Sequence, residues 1–247
     1  MSTIFITGIG TDVGKTVVAA ILAEALEADY WKPVQAGYDE GTDSEFIYST
    51  ISNKKTILHP ETYKLKLTAS PHIAAREEGI EIDLDKIYDD YLKIVKGESS
   101  NVNSQQPDSF EISNNQQSII NNQGLVDNSK HSSVNLIIEG AGGLMVPLNE
   151  NEFVIDLIKK LNAKVILVSR NYLGSINHSL VTAAVCRQNN LDVLGWIFNI
   201  DYMNYEDEIV QWTGYSKIAS LPFAKKIDET FIQQQASIVK QKLKSLT

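Results

Sequence analysis

Residues 8–16 read GIGTDVGKT. They follow a β-branched, aromatic segment, TIFIT, and lead into an Ala- and Leu-rich one, KTVVAAILAEALEA. Strand, glycine turn and helix in that order make a cradle for an anion. Gly10 and Gly14 are expected to allow backbone angles that a side chain forbids. Successive N–H groups and the helix start then face a phosphate. Lys15 brings charge to the outer phosphates of a nucleotide, and Thr16 brings a hydroxyl to Mg2+. Five residues separate Gly8 from Gly14, one more than in the standard pattern G-x-x-x-x-G-K-[ST]. A dinucleotide-binding turn, G-x-G-x-x-G, competes, but Val13 stands where its third glycine belongs. A helix start with an incidental Lys-Thr, or a chance match, would also produce the string. The strand–loop–helix setting favours a nucleotide phosphate site.

Other residues suit the same chemistry. Residues 134–143 read VNLIIEGAGG, an apolar strand ending in Glu139 and a glycine turn. An acid there can hold Mg2+ directly or through water; the plainer reading is an edge carboxylate beside a tight turn. Lys32, in WKPVQAG, falls at the carboxyl end of a second strand, where open α/β sheets bind ligands. It should point into the crevice that holds Lys15, unless it is a solvated lysine. Asp43, in GTDSE, is a further magnesium acid and also a candidate helix N-cap. Asn199 ends a strand in GWIFNID and offers an amide to a base edge. The N-K-x-D of GTP-binding proteins is absent, which favours adenine, though an ordinary loop Asn fits as well. LGSINHS, residues 173–179, precedes a long helix whose first N–H groups could take a carboxylate. His178 reads as a helix-start residue, and His59, His72 and His131 show no ligand spacing.

The elements that must position these groups alternate. Strands are expected at 3–7, 30–34, 134–139, 164–169, 193–199 and 216–220, with Pro33 ending the second or setting it at an edge. Helices are expected from Lys15 onward and at 43–52, 71–79, 83–96, 153–162, 175–190 and 228–245. Such alternation implies right-handed crossovers: an α/β fold of P-loop NTPase type, its mainly parallel sheet flanked by helices on both faces. Residues 97–133 break the pattern. Asn, Ser and Gln dominate them, so they are expected to be a disordered insertion in one domain spanning 1–247, rather than a partner-binding arm.

Composition bounds the function. The 247 residues can bury a core without disulfides, and the single cysteine, Cys186, excludes an intrachain disulfide and a Cys-based zinc site. Net charge −9 argues against coating nucleic acid or anionic lipid. No apolar run approaches the roughly 20 residues that span a bilayer. The N-terminus lacks a basic region followed by an apolar core, so a cytoplasmic location is expected.

Taken together, FITGIGTDVGKT, WKPVQAG, SPHIAAREEG, IIEGAGGLMVPL, LGSINHSLVTA, GWIFN and SLPF resemble the dethiobiotin synthetase family over nearly the whole chain outside 97–133. The P-loop with its additional residue is typical of that family. The resemblance implies a homodimer that uses ATP with Mg2+, CO2 or bicarbonate, and 7,8-diaminononanoate. It implies catalytic roles for Lys32, Lys15 and Thr11, with Lys32 steadying a carbamate and the transferring phosphoryl group and Lys15 bridging the two. Thr16, Asp43 and Glu139 would hold Mg2+. The nucleotide would meet Asp12, Val13, Gly14, Lys15, Thr16, Val17, Asp43, Glu139, Gly140, Ala141 and Gly142. Asn199, Leu221, Pro222 and Phe223 would surround its base. The diamine would meet Asp12, Lys32 and Ala36, with its carboxylate at Gly174, Ser175, Ile176 and Asn177 of the second subunit. Ala36 departs from the family's usual Ser or Thr, and Gly10 from a usually polar loop residue.

Two other readings compete. An amidotransferase-type synthetase of the same P-loop group usually adds a glutaminase domain, for which this chain has neither length nor a Cys site. An ATPase switch that positions DNA or division proteins typically carries an additional lysine early in the P-loop, where Ile9, Gly10 and Thr11 stand here.

Overall fold

A computed structural model describes residues 3–98, 136–199 and 202–244. In chain order the elements are β1 (Thr3–Gly8), α1 (Lys15–Leu26), β2 (Asp29–Trp31), β3 (Val34–Ala36), α2 (Asp43–Thr50), β4 (Leu58–His59), β5 (Tyr63–Leu65), α3 (Pro71–Glu77) and α4 (Leu84–Lys96). After the insertion come β6 (Leu136–Gly143), α5 (Val154–Leu161), β7 (Lys164–Arg170), α6 (Ser175–Gln188), β8 (Val193–Asn199), α7 (Glu206–Thr213), β9 (Lys217–Leu221) and α8 (Glu229–Lys244). The expected insertion lies outside the described residues except for Gly97 and Glu98, and Gly97 caps α4 in a left-handed conformation.

Seven strands form a sheet in the order β4-β2-β6-β1-β7-β8-β9, and every pairing is parallel. Parallel strands buried on both faces read as near-continuous apolar runs, and these do. Alternate side chains feed two cores. Phe5, Leu136, Ile138, Val165, Leu167, Trp196 and Phe198 face α3 to α7. Ile4, Ile6, Ile137, Ile166, Val168 and Ile197 face α1, α2 and α8. The helices therefore lie on both faces, as the alternation implies.

The structure corrects the expected 30–34 strand. Pro33 has no N–H for a ladder, and the chain changes sheets around it. Asp29–Trp31 joins the large sheet, while Val34–Ala36 pairs with Tyr63–Leu65 in a separate two-stranded parallel sheet. The first helix after it is capped by Thr42, not by Asp43: the Thr42 side chain accepts from Glu45 N–H, and Glu45 returns to Thr42 N–H in a capping box. Asp43 is thereby left for the site.

Between α2 and β4 the chain reads ISNKKTI, and a carboxylate ties it down. Glu24 of α1 accepts from Ser52 N–H at 2.9 Å, Ser52 hydroxyl at 2.6 Å, Asn53 N–H at 3.0 Å and Asn53 amide at 3.1 Å. Burial pushes its pKa up, but these hydrogen bonds outweigh burial and hold it below the ordinary 4.5. A depressed carboxyl pKa stabilises the fold above the unfolded value, and the contribution disappears as pH falls through the folded one. Glu24→Ala is expected to cost about 2 kcal/mol near neutral pH. In urea melts, the gap to the parent should narrow below pH 4.5; a gap that is constant with pH would contradict this account.

Candidate active site

The order of the sheet brings the chemistry together. β1 lies between β6 and β7, and β2 lies beside β6. All run parallel, so their carboxyl ends share one edge. At that edge the P-loop leaves β1, Glu139 opposes Ile6, and Lys32 follows directly after Trp31, the partner of Ile138. The first turn of α1 places Lys15 and Thr16 over the same spot.

The contacts are short. Thr16 Oγ1 lies 2.9 Å from Asp43 Oδ1 and 2.8 Å from Glu139 Oε1. With one proton it donates to one of them at a time. Lys32 Nζ donates to Asp43 Oδ2 and lies 3.5 Å from Glu139 Oε1. Lys15 Nζ donates to Gly10 O at 2.9 Å. Glu139, Lys15 and Lys32 are all buried. The two lysines are driven apart electrostatically. Burial lowers Lys15, helped by the neighbouring Lys32 charge, and the nearby carboxylates only partly offset this. Burial works the same way on Lys32, but Glu139 and Asp43 outweigh it and hold its pKa above the ordinary lysine value.

The loop itself is shaped at Gly14. It caps α1 at φ 87°, in the left-handed region, and a Cβ there would overlap the side-chain amide of Asn199. Asn199 Nδ2 donates to Val13 O, so the end of β8 braces the P-loop from the side. Asp12 also has positive φ, at 56°. Gly10 does not: its φ is not positive and a Cβ would meet nothing within 4 Å. The expectation that Gly10 needs a glycine's angles is therefore corrected.

Thr11 and Asp12 stand exposed at the loop tip, while Val13 is buried beneath it. Val17 lies partly buried on α1. Gly140, Ala141 and Gly142 continue β6 past Glu139, where a glycine turn was expected at once. Leu221 pairs with Asn199, which sets Pro222 and the exposed Phe223 beside it. Ala36 ends β3, beside Gln35, whose Oε1 lies 3.4 Å from Asp43 N and whose Nε2 donates to Gly37 O at 2.7 Å. At the start of α6, Gly174 is the N-cap, and Ser175 is committed to the fold: its N–H meets Tyr172 O and its hydroxyl meets Tyr205. Ile176 and Asn177 follow in the first turn, Asn177 exposed. A groove of about 320 Å3 runs from Gly8–Gly10 past Gly143–Val146 to Asn177, Val181 and Val185 on α6.

Sequence reasoning missed Tyr30, whose hydroxyl donates to Glu139 Oε2 at 2.9 Å, and Gln35. Tyr30 reads as strand filling, and only its position directly before Trp31-Lys32 hinted at the site.

The chain is similar to curated proteins along its whole length. It is 42% identical over 238 residues to the ATP-dependent dethiobiotin synthetase BioD of Cytophaga hutchinsonii, covering 96% of each chain. It is 36% identical over 240 residues to that of Christiangramia forsetii, covering 97% of this chain and 96% of the other. The chain belongs to the ATP-dependent dethiobiotin synthetases. A family described as an AAA domain also matches residues 2–99 and 95–230, consistent with the P-loop core of a dethiobiotin synthetase. Among solved structures, the MinD cell division protein of Aquifex aeolicus aligns with TM-score 0.54 at 13% identity, over 99% of this chain and 97% of that one. A plasmid partition protein of Borrelia burgdorferi aligns with TM-score 0.55 at 12% identity, over 99% and 98%. At these identities the likeness shows the P-loop ATPase fold alone, which this synthetase family member shares. Among the described residues no helix is long and apolar enough to cross a membrane.

Proposed function

We propose that the chain makes dethiobiotin, ADP and phosphate from 7,8-diaminononanoate, CO2 and ATP. The observation that carries the reading is the convergence of Lys15 and Lys32 with Thr16, Asp43 and Glu139 at one sheet edge. CO2 adds to one amine as a carbamate. A carbamate oxygen attacks the γ-phosphorus, ADP leaves, and a carbamic–phosphoric anhydride results. The second amine attacks its carbonyl carbon, phosphate leaves, and the cyclic urea closes.

That sequence asks the protein for positioning and for positive charge where oxyanions meet. Lys15 leaves the Gly10 carbonyl for the phosphates. Lys32, held charged by its carboxylates, faces the carbamate and the phosphoryl group in transfer. Thr11 and Asp12 at the loop tip separate the two ligands, and Ala36 flanks the diamine without a hydroxyl of its own.

The donor set fits Mg2+. One hydroxyl and two carboxylates, all hard oxygens, converge within hydrogen-bonding distance of Thr16 Oγ1. Mg2+ at such a set would share its remaining positions with nucleotide phosphates and water. When bound, Mg2+ neutralises charge on the β- and γ-phosphates. Asn199, Leu221, Pro222 and Phe223 frame the base.

The diamine carboxylate fits the α6 start of a second copy, at Ile176 and Asn177. Such sharing puts α6 and the 143–146 turn at a homodimer interface, where Met145 and Val181 are each 54% exposed. Sedimentation at micromolar concentration should give twice the chain mass; a monomer there would remove the shared site.

The test of the reaction incubates the protein with Mg-ATP and bicarbonate, with and without 7,8-diaminononanoate. Phosphate release should depend on the diamine and be matched by product of the cyclic urea's mass. Release indifferent to the diamine would sink the reading and favour an ATPase switch.

A further inference from the structure

The two oxygens of Glu139 have different neighbours. Oε1 faces Thr16 at 2.8 Å and Lys32 Nζ at 3.5 Å. Oε2 accepts from the Tyr30 hydroxyl at 2.9 Å. Tyr30 lies within β2 and Lys32 directly after its end, and both reach the same carboxylate. Tyr30 pairs with Ile137 and Trp31 with Ile138, which puts Glu139 next along the neighbouring strand. The phenol thus grips the carboxylate from the core, and the ammonium meets it from the site.

The last torsion of a glutamate is broad and roughly two-fold. The two oxygens are equivalent, so what a partner below fixes is the plane: without one, the carboxylate could twist away from the crevice. Tyr30 has no such freedom. It is fully buried among Ile4, Ile6, Ile21 and Ile137 on the α1 side of the sheet.

We propose that Tyr30 is a positioning residue for the magnesium site: its hydroxyl pins Oε2 of Glu139 and so dedicates Oε1 to the ion of the bound nucleotide. This rests on the reading of Thr16, Asp43 and Glu139 as the groups that hold Mg2+. Tyr30 touches neither substrate nor metal; it acts through Glu139.

Tyr30→Phe removes one hydroxyl and keeps the ring in its packing. The readout is ADP affinity by calorimetry across a Mg2+ titration, which needs neither diamine nor turnover. The Mg2+ concentration for half-maximal tightening of ADP should rise about tenfold. ADP affinity without Mg2+ should stay at the parent value. In the background of Glu139→Gln, adding Tyr30→Phe should change the Mg2+ requirement no further. An unchanged Mg2+ requirement in Tyr30→Phe overturns the proposal, even with a lower melting temperature, because Tyr30 would then be structural only. An equal loss of ADP affinity with and without Mg2+ overturns it too. Should Tyr30→Phe not fold, 3-fluorotyrosine placed at position 30 keeps both ring and hydroxyl. Its 19F resonance should move when Mg2+ joins the ADP complex, and a resonance indifferent to Mg2+ overturns the proposal. If the parent binds ADP with no response to Mg2+, the magnesium reading itself fails, which is a separate result from a parent that responds and a variant that responds alike.

Discussion

Lys32→Ala is expected to lower the rate of dethiobiotin formation by about 10³-fold while KM for ATP changes little. The reason is geometric. Lys32 lies outside the P-loop, at the sheet edge where Asp43 and Glu139 sit, and it contacts both carboxylates. Its charge is therefore fixed in place before substrate arrives, which is the condition for stabilising charge that develops during transfer. Lys15, by contrast, follows Gly14 at the start of α1, and on the proposed reading it serves the binding of the phosphates. A kcat effect without an ATP effect separates the two lysines. The substitution also leaves Glu139, 1% exposed, and Asp43 facing one another without that cation. Some loss of melting temperature is expected for that reason, so rates should be compared well below the melting transition. Turnover retained within tenfold would remove Lys32 from the chemistry, and an ATP KM that rose in step with the fall in kcat would make it a binding residue.

The parts of this site that the sequence announced are marked by their neighbours. Lys15 and Thr16 follow a glycine loop at a helix start, Lys32 falls just past a strand and before a proline, and Glu139 is an acid inside an apolar run followed by glycines. Their convergence followed from the parallel sheet, because every strand delivers its last residue to one edge. What the sequence hid depends on pairings across long separations. The Tyr30–Glu139 bond joins residues 109 apart, and a tyrosine in a strand looks like core. Asp43 was read both as a magnesium acid and as a candidate cap; the cap is one residue earlier, Thr42 with Glu45, and the Asp43 carboxylate meets Thr16 and Lys32 instead.

Elements were lost for a related reason. β4 and β5 span Leu58–His59 and Tyr63–Leu65, too short for any period to show. The α7 segment, EDEIVQWT, buries only Glu206, Ile209 and Thr213, so its apolar spacing is sparse. Its end signals were present: three acidic residues in the first turn and Gly214 after the last. End chemistry would have found it where periodicity could not.

Gly14→Ala and Gly10→Ala should behave oppositely, although both glycines belong to the same string. Gly14 has φ 87°, where an L side chain costs roughly 1–2 kcal/mol. Its Cβ would also displace the Asn199 amide that holds Val13 O. The loop would shift where, on the proposed reading, N–H groups aim at phosphate, and a displacement near 1 Å costs on the order of 10²-fold. Gly14→Ala is therefore expected to weaken ATP binding by about 10²-fold, measured by calorimetry with Mg-ADP or Mg-ATP. Gly10 is free of positive φ and has open space around its missing side chain. Its contribution is the carbonyl that receives Lys15, which alanine keeps. Gly10→Ala should leave affinity within about twofold. Equal losses in the two variants would mean that the whole loop must rearrange on binding, and that the brace from Asn199 to Val13 does not set the phosphate site.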